Sequence, residues 1–496
     1  MMSRPRSLLV SVAMVLGLAP IAIATASTSG SPGTTVLAIG GPTTTRPISP
    51  GFLGLSLEYF AIPSYAGTNP EQVDPVFVQL IRNLAGGSPP QIRIGGDTTD
   101  RTWWPVPDTP TPAGVNETLT PDWIATTKAL AVATGAKLTL GINLEADSAT
   151  VAGTEADQLV AGLGSSRIEA LELGNEPELY GTFDWGRSGK PGRPRGYDFA
   201  DFSDDFTRIA RALPPLPLAG PASGGHRWFK DVGRFLAGHH NVAVVTLHRY
   251  PLESCYVKRP NPDYPTIPHL LSQAATQTLA DSVASAVKQA HAHHVPLRVD
   301  EINTVSCGWN PAVGRSFASA LWALNTLFEL AAVGVDGVNV HTFPGATYAL
   351  FQFSDTDGHW QGTVNPEYYG LEMFAQAAPQ GSQLLSVSEP ANTGGLQAYA
   401  TRTQDKSVRL VLINEGARAR AIAVHATTAT GTGTLELLTA PSLGARTDIM
   451  LGGQSYGTKT TTGLLAGPQR TYAIAPRRHD YPLKLPPATA ALLTIN

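Results

Sequence analysis

The sequence predicts a (β/α)8 TIM barrel followed by a C-terminal antiparallel β-sandwich domain, an α/β fold class, on three observations. Eight short apolar runs recur between residues 52 and 344, helix-like segments separate them, and the texture changes near residue 380. Continuous apolar runs alternating with helices describe parallel pairing through right-handed crossovers, and eight such units close a barrel. An open doubly wound sheet is the competing arrangement. It wants a glycine-rich phosphate loop after its first strand, and "SLEYFAIPSY" is not one.

The first 26 residues read as an export signal: Arg4 and Arg6, an apolar run from Leu8, and the small-x-small site Ala24-Thr25-Ala26. An uncleaved anchor is the alternative, but Pro20 interrupts the run and leaves it short of a comfortable span. The mature chain is therefore expected to be secreted, without a membrane partner. "STSGSPGTT" follows as a linker and "TVLAIG" as a strand expected to join the second domain's sheet. The expected plan is a signal peptide over 1–26, linker and strand over 27–50, barrel over 51–378 and β-sandwich over 379–496.

The eight runs are "FLGLSLEYF" (52–60), "QIRIGGD" (91–97), "AKLTLGINLEA" (136–146), "IEALELGNEP" (168–177), "LPLAGPAS" (216–223), "NVAVVTLHRYP" (241–251), "VPLRVDEINT" (295–304) and "DGVNVHTFP" (336–344). Thr120 and Pro121 fit the N-cap and first position of a helix, and Gly135 and Gly334 fit helix stops. After residue 380, runs such as "SVRLVLINE" and "AIAVHATTA" alternate with period two and carry few helical signals, the texture of a sandwich.

Composition limits the partners. With 35 basic and 39 acidic residues and no polybasic run, nucleic acid is not expected. No metal-ligand spacing or cofactor motif is apparent; "HAHH" (291–294) fits a solvated helix end on the face opposite the site. The only two cysteines, Cys255 and Cys307, are either a disulfide or two buried thiols.

In a barrel, functional side chains leave the C-terminal ends of the strands. Those positions hold Glu58, Arg93 with Asp97, Asn143 with Glu145, Asn175 with Glu176, His248 with Tyr250, Glu301 with Asn303, and His341. Glu176 ends run four and Glu301 ends run seven, on facing sides of the ring. Two carboxylates converging to about 5–5.5 Å suit retaining glycoside hydrolysis. A lone strand-end glutamate is more often solvated or salt-bridged, and Glu58, Glu145, Glu172 and Glu178 compete. Strand alternation expects one of Asp300 and Glu301 to point away from the site. Pro177 is expected to hold Glu176 in extended geometry.

"LELGNEP" followed by "VDEINTVSCGW" resembles the barrel glycosidases of clan A. "DEINTVSCG" is similar, more narrowly, to glycoside hydrolase family 79, the family of β-glucuronidases and heparanase. The resemblance implies Glu176 as acid/base, Glu301 as nucleophile, Asn175 on the substrate 2-hydroxyl, Tyr250 orienting the nucleophile, and Arg93 keeping the carboxylates ionised. A charged Glu301 would in turn favour the protonated form of Glu176. The resemblance also implies that the Val305–Asn310 loop, with Ser306 and Gly308, supplies donors to a uronate carboxylate. Trp309 departs from the glycine expected there. Asp97, His248, Glu58, Asn143 and His341 complete the expected substrate-binding set. Loops six and seven are neighbours in a barrel, which favours a Cys255–Cys307 disulfide.

The expected activity is an exported retaining β-glucuronidase acting on glucuronides or uronic-acid-containing glycans. A clan relative for a neutral sugar (β-xylosidase or β-glucosidase) and a non-catalytic glycan-binding barrel are the rivals. Signal cleavage is predicted after Ala26, so N-terminal sequencing of the secreted chain should begin at Ser27; a start elsewhere refutes the site.

Overall fold

The computed structural model describes residues 33–44, 46–388, 394–427 and 431–496. The expected signal segment and the start of the linker lie outside the described residues. Eight parallel strands close a barrel in chain order: Leu53–Glu58, Gln91–Gly95, Lys137–Ile142, Ile168–Leu173, Leu218–Ser223, Val242–Arg249, Leu297–Ile302 and Gly337–Thr342. These are strands one to eight below, and each falls within one of the eight apolar runs. Strands one, five and eight are buried along their whole length, because helices cover one face and the barrel core the other. That is why the sequence shows continuous runs and not alternation.

The helix between strands two and three shows how local chemistry sets the boundaries. Thr120 accepts the Trp123 N–H at 3.2 Å, Pro121 takes the first helical position, and Gly135 closes Pro121–Thr134 at φ 71°. A left-handed residue there lets its N–H reach back to the last turn, and glycine pays no Cβ penalty for it. Among the described residues, no helix is long and apolar enough to cross a membrane.

The rest of the chain forms one ten-stranded sheet. Its main path runs Met450–Leu451, Gly433–Thr439, Thr489–Ile495, Val408–Asn414, Leu396–Arg402, Gln383–Ser388, Thr35–Pro42, Arg420–His425 and Asp480–Leu485, with Tyr472–Ile474 paired to Gly433–Thr439. Leu435 and Leu493 from one end share a buried core with Ile422 and Leu485 from the other, so the sheet curls into a sandwich. Thr35–Pro42 lies inside it, antiparallel to Gln383–Ser388 and parallel to Arg420–His425.

Period-two alternation divides the sheet's two faces. Leu410 and Leu412 enter the sandwich core, whereas Val411 and Ile413 pack into the same apolar cluster as the barrel. The barrel presents helices Phe317–Ala332 and Pro366–Ala377 to that face, with Phe328 stacked on Tyr399 at 4.8 Å. The first N–H groups of a helix have no partner within it. Here Phe317 and Ala318 donate to the carbonyls of Ala445 and Leu443, at 2.7 and 2.9 Å.

Phe374 touches Phe52 at the start of strand one and Phe328 on the sandwich side, with centroids 5.5 and 4.9 Å away. It is fully buried, so Phe374→Ala should cost about 3–5 kcal/mol by leaving a cavity. Urea unfolding should show one earlier transition for barrel and sandwich together; a change below about 1 kcal/mol would disprove this placement.

Candidate active site

The site is built around one buried cation. Arg93, the third residue of strand two, points into the barrel and is wholly buried. Its Nε donates to Glu172 Oε2 at 2.7 Å, its Nη1 to Glu301 Oε2 at 2.6 Å and Ser56 Oγ at 3.3 Å, and its Nη2 to Asn175 Oδ1 at 2.8 Å. A planar guanidinium can serve three directions at once, which an ammonium cannot do with fixed geometry. Glu172, a competitor in the sequence, is therefore a structural counter-ion below the site.

Glu301 ends strand seven and accepts the Tyr250 hydroxyl at 2.9 Å on its other oxygen. Burial alone would raise its carboxyl. The charges of His341, His248 and Arg93, with the Arg93 hydrogen bond, outweigh it and hold Glu301 well below the usual carboxylate range. The expectation that Asp300 points away is corrected here. The register slips by one residue between Val299 and Glu301, so Asp300 and Glu301 together oppose His248. This bulge suspends alternation, and Asp300 turns inward beside Arg93, 3.6 Å from Nε. Burial, reinforced by the charge of Glu172, pushes the Asp300 carboxyl up.

Glu176 follows strand four, and its backbone overturns a second expectation. It adopts φ 47° and ψ 54°, the left-handed region, although Pro177 follows. Its N–H donates to Ala222 O at 2.8 Å, and its carbonyl accepts from Leu179 N–H at 2.9 Å. These bonds to the neighbouring strand end and the next turn offset a strain of about 1–2 kcal/mol. The result aims the side chain at the barrel axis. Oxygens of Glu176 and Glu301 and the His248 Nδ1 all lie within 4.8 Å of one another. Such a trio could hold a cation, but the Arg93 guanidinium already supplies positive charge to Glu301 from 2.6 Å.

The other candidates divide into four groups. Asn175, Tyr250, Arg93 and His248 surround the two carboxylates directly; His248 Nδ1 stands 3.1 Å from Glu176 Oε1. Glu58 and His341 stand beside them as a buried pair: Glu58 accepts the N–H groups of Asp97 and Thr98 at 3.2 and 2.9 Å, and His341 Nε2 lies 3.4 Å away. Asp97 and Ser306 line the cleft above. Asn143 does not reach it. It is wholly buried, donating to the carbonyls of Asp100 and Thr102 at 3.0 and 2.8 Å.

Two neighbours of the candidate site, Asp100 and Tyr348, are absent from the sequence reading, and a third, Glu178, stands there only as a competitor of Glu176. Asp100 lies in the short turn Gly96–Arg101, three residues past the strand-end candidate Asp97. It accepts the N–H groups of Leu144, Glu145 and Asn175 at 2.9–3.0 Å and the Tyr180 hydroxyl at 2.6 Å, and so fixes Asn175. Tyr348 follows strand eight and meets the Tyr250 hydroxyl at 3.3 Å. Glu178, a competing carboxylate in the sequence, is buried, and burial followed by the Glu176 charge pushes its carboxyl up to about 7.

The cleft lined by Glu176 and Asn175 has a volume of about 380 Å3. Cys255 and Cys307 form a disulfide across loops six and seven, with Cα atoms 5.7 Å apart. Alongside it, Ser254 donates to the Cys307 carbonyl at 2.8 Å. Gly308 turns at φ 72°, and a Cβ there would stand 2.5 Å from Ser254 Oγ, so the staple requires glycine. Trp309 stays exposed, with the Arg315 guanidinium 5.3 Å from its ring.

No family model matches the chain. A β-glucuronidase from Neurospora crassa is 25% identical over 419 residues, covering 74% of this chain and 72% of that protein. One from Aspergillus niger is 24% identical over 410 residues, with the same coverage. Human inactive heparanase-2 aligns at 25% identity over 41% of this chain and 34% of its own length. The crystal structure of a 4-O-α-L-rhamnosyl-β-D-glucuronidase from Fusarium oxysporum superposes with a TM-score of 0.73 at 20% identity, covering 92% of this chain and all of that one. The chain is a glycoside hydrolase, similar in sequence to these fungal β-glucuronidases. Its barrel-plus-sandwich architecture is also that of a family 51 arabinofuranosidase from Xanthomonas axonopodis, at a TM-score of 0.64 and 16% identity.

Within this glycoside hydrolase, His248 reports on the carboxylates. Burial lowers its pKa, but the Glu301 charge and the Glu176 hydrogen bond raise it to about 9. Arg93 Nη2 lies 3.4 Å from Nε2 and opposes this; at that length it is the weaker influence, since two carboxylates flank Nδ1 within 3.9 Å. The stability that the raised value confers is complete below about pH 6.5 and is lost as pH rises through about 9. NMR titration of the His248 imidazole should give a midpoint near 9 that falls in Glu301→Gln; a midpoint near 6.5 would refute it.

Proposed function

We propose that the chain is an exported retaining β-glucuronidase, releasing glucuronic acid from β-glucuronides or uronic-acid-containing glycans. The observation that carries this reading is the approach of the Glu176 and Glu301 oxygens to within 4.8 Å, with charge-stabilising partners on Glu301. An oxygen of each carboxylate within that distance of the other fits the close pair of a retaining enzyme, about 5–5.5 Å between carboxyl groups, better than the wider pair of an inverting one, about 6.5–9.5 Å.

In the proposed reaction Glu301, held ionised, attacks the anomeric carbon while Glu176 gives its proton to the departing glycosidic oxygen. The carboxylate left on Glu176 then takes a proton from water, whose oxygen displaces Glu301 and restores the original anomeric configuration. Arg93 and Tyr250 hold the nucleophile's two oxygens in place. Because Arg93 donates to Asn175 Oδ1, the amide NH2 is the group left to donate to the sugar 2-hydroxyl, a bond that strengthens as the oxocarbenium-like state forms.

The uronate preference rests on the two fungal β-glucuronidases, each aligned over 72% of its length. The stapled loop agrees with it: Ser306 and Cys307 line the cleft, and Gly308 lets backbone pass close. A non-catalytic role is disfavoured because both carboxylates are present with their partners. Glu301→Gln should lower kcat for 4-nitrophenyl β-glucuronide by at least about 10^4-fold in a chain that is still folded at the assay temperature, with the melting temperature lowered by the loss of one Arg93 counter-ion. NMR of the first product should show the β-anomer. An α-anomer, or faster turnover of a neutral nitrophenyl glycoside, would overturn the mechanism or the sugar respectively.

A further inference from the structure

The cleft continues outward from Glu176 between the loops after strands four and six. Two large aromatics line that stretch, Phe183 and Tyr256, which remain 40% and 69% exposed with their ring centroids 5.7 Å apart. Both are held in place. The Phe183 N–H donates to Leu179 O at 3.1 Å, one turn beyond Glu176. The Tyr256 N–H donates to Glu253 Oε1 at 3.2 Å, and its neighbour Cys255 is bonded to Cys307. Flat apolar surface that is fixed yet left facing water marks a place for a ligand face.

The chemistry says which ligand. In the proposed reaction the acid must reach the glycosidic oxygen, so the leaving group lies on the Glu176 side of the cleft. This inference rests on that reading. Charge narrows the class further. Asp97 is paired with Arg101 at 3.3 Å, whereas Asp184 and Glu253, also lining the cleft, have no ion-pair partner among the described residues. Arg101 also lines the cleft, with its charge met by Asp97, whereas the basic residues of the loops after strands four and six, such as Arg187, Lys190, Lys258 and Arg259, do not line it. Unpaired carboxylates beside a ligand select against anions.

We propose that Phe183 and Tyr256 form the leaving-group subsite, and that it takes an uncharged group with a flat apolar face in preference to a sulfated or uronate-bearing chain. An aryl ring and the face of a neutral sugar share that chemistry, and the choice of substrates separates them.

The test compares aryl and methyl β-glucuronides, a glucuronyl disaccharide with a neutral reducing-end sugar, and its sulfated counterpart, in wild type, Tyr256→Ala, Tyr256→Phe and Phe183→Ala. The aryl-to-methyl ratio of kcat/KM should fall about three- to tenfold in each alanine variant, through KM, and be restored in Tyr256→Phe. A parallel fall for the neutral disaccharide relative to methyl glucuronide assigns the subsite to sugars as well; a fall for the aryl substrate alone assigns it to aryl groups. An unchanged ratio, or faster wild-type cleavage of the sulfated disaccharide than of the neutral one, overturns the proposal. If wild type cleaves a neutral glycoside and no glucuronide, the sugar assignment fails while the aryl-to-methyl ratio on that glycoside still decides the subsite. If it cleaves no glycoside, calorimetric binding of phenyl β-thioglucuronide, weakened by Tyr256→Ala or not, decides it.

Discussion

The structure is organised by the need to keep the Arg93 charge satisfied inside a barrel. A guanidinium with no access to water is tolerable only if its donors are met, and strands one, four and seven each send a partner to it. Removing one member of such a buried set costs about 3–5 kcal/mol, because the others are left uncompensated. The same bonds that stabilise the charge fix two of the side chains given roles in the proposed reaction. Glu301 is held through one oxygen, and Asn175 through its carbonyl, so the amide faces the cleft. Stability and preorganisation here are one arrangement seen twice.

Two irregularities aim the side chains, and both go against a simple rule. The strand-seven bulge lets Asp300 and Glu301 face inward together, one carboxyl pushed up by burial and the charge of Glu172, the other held low by His341, His248 and Arg93. The left-handed backbone at Glu176 swings its carboxyl toward the axis where an extended residue would send it elsewhere. Neither follows from the residue types. Both are set by hydrogen bonds to neighbouring strands, which a reading along the chain does not contain.

That difference explains what was legible in the sequence. Burial on two faces writes itself as a continuous apolar run, so all eight barrel strands could be found, and the strand ends led to Glu176, Glu301, Arg93 and Tyr250. The curled sheet was legible as texture, because alternation at Leu410 to Ile413 serves two cores at once. Asp100, Tyr348 and the Phe183–Tyr256 pair were not, since they lie in loops whose course depends on contacts distant in sequence. Asn143 was over-read for the same reason: a polar residue at a strand end can serve neighbouring loops and never meet substrate.

The strand Thr35–Pro42 has a consequence for how the chain is made. Ala38 and Ser388 meet in the sheet 350 positions apart, with the whole barrel between them. During synthesis this strand emerges among the earliest segments, yet its partners are among the last, so both its edges stay unpaired until translation is nearly complete. Closing so large a loop is slow, and an unpaired strand edge invites association with other chains meanwhile. A fragment ending after the barrel would carry that strand without its sheet, together with the uncovered apolar faces of Phe328 and Phe374. Production of this protein is therefore tied to the complete chain, and a fusion partner is better placed ahead of residue 33 than cut into the region that follows.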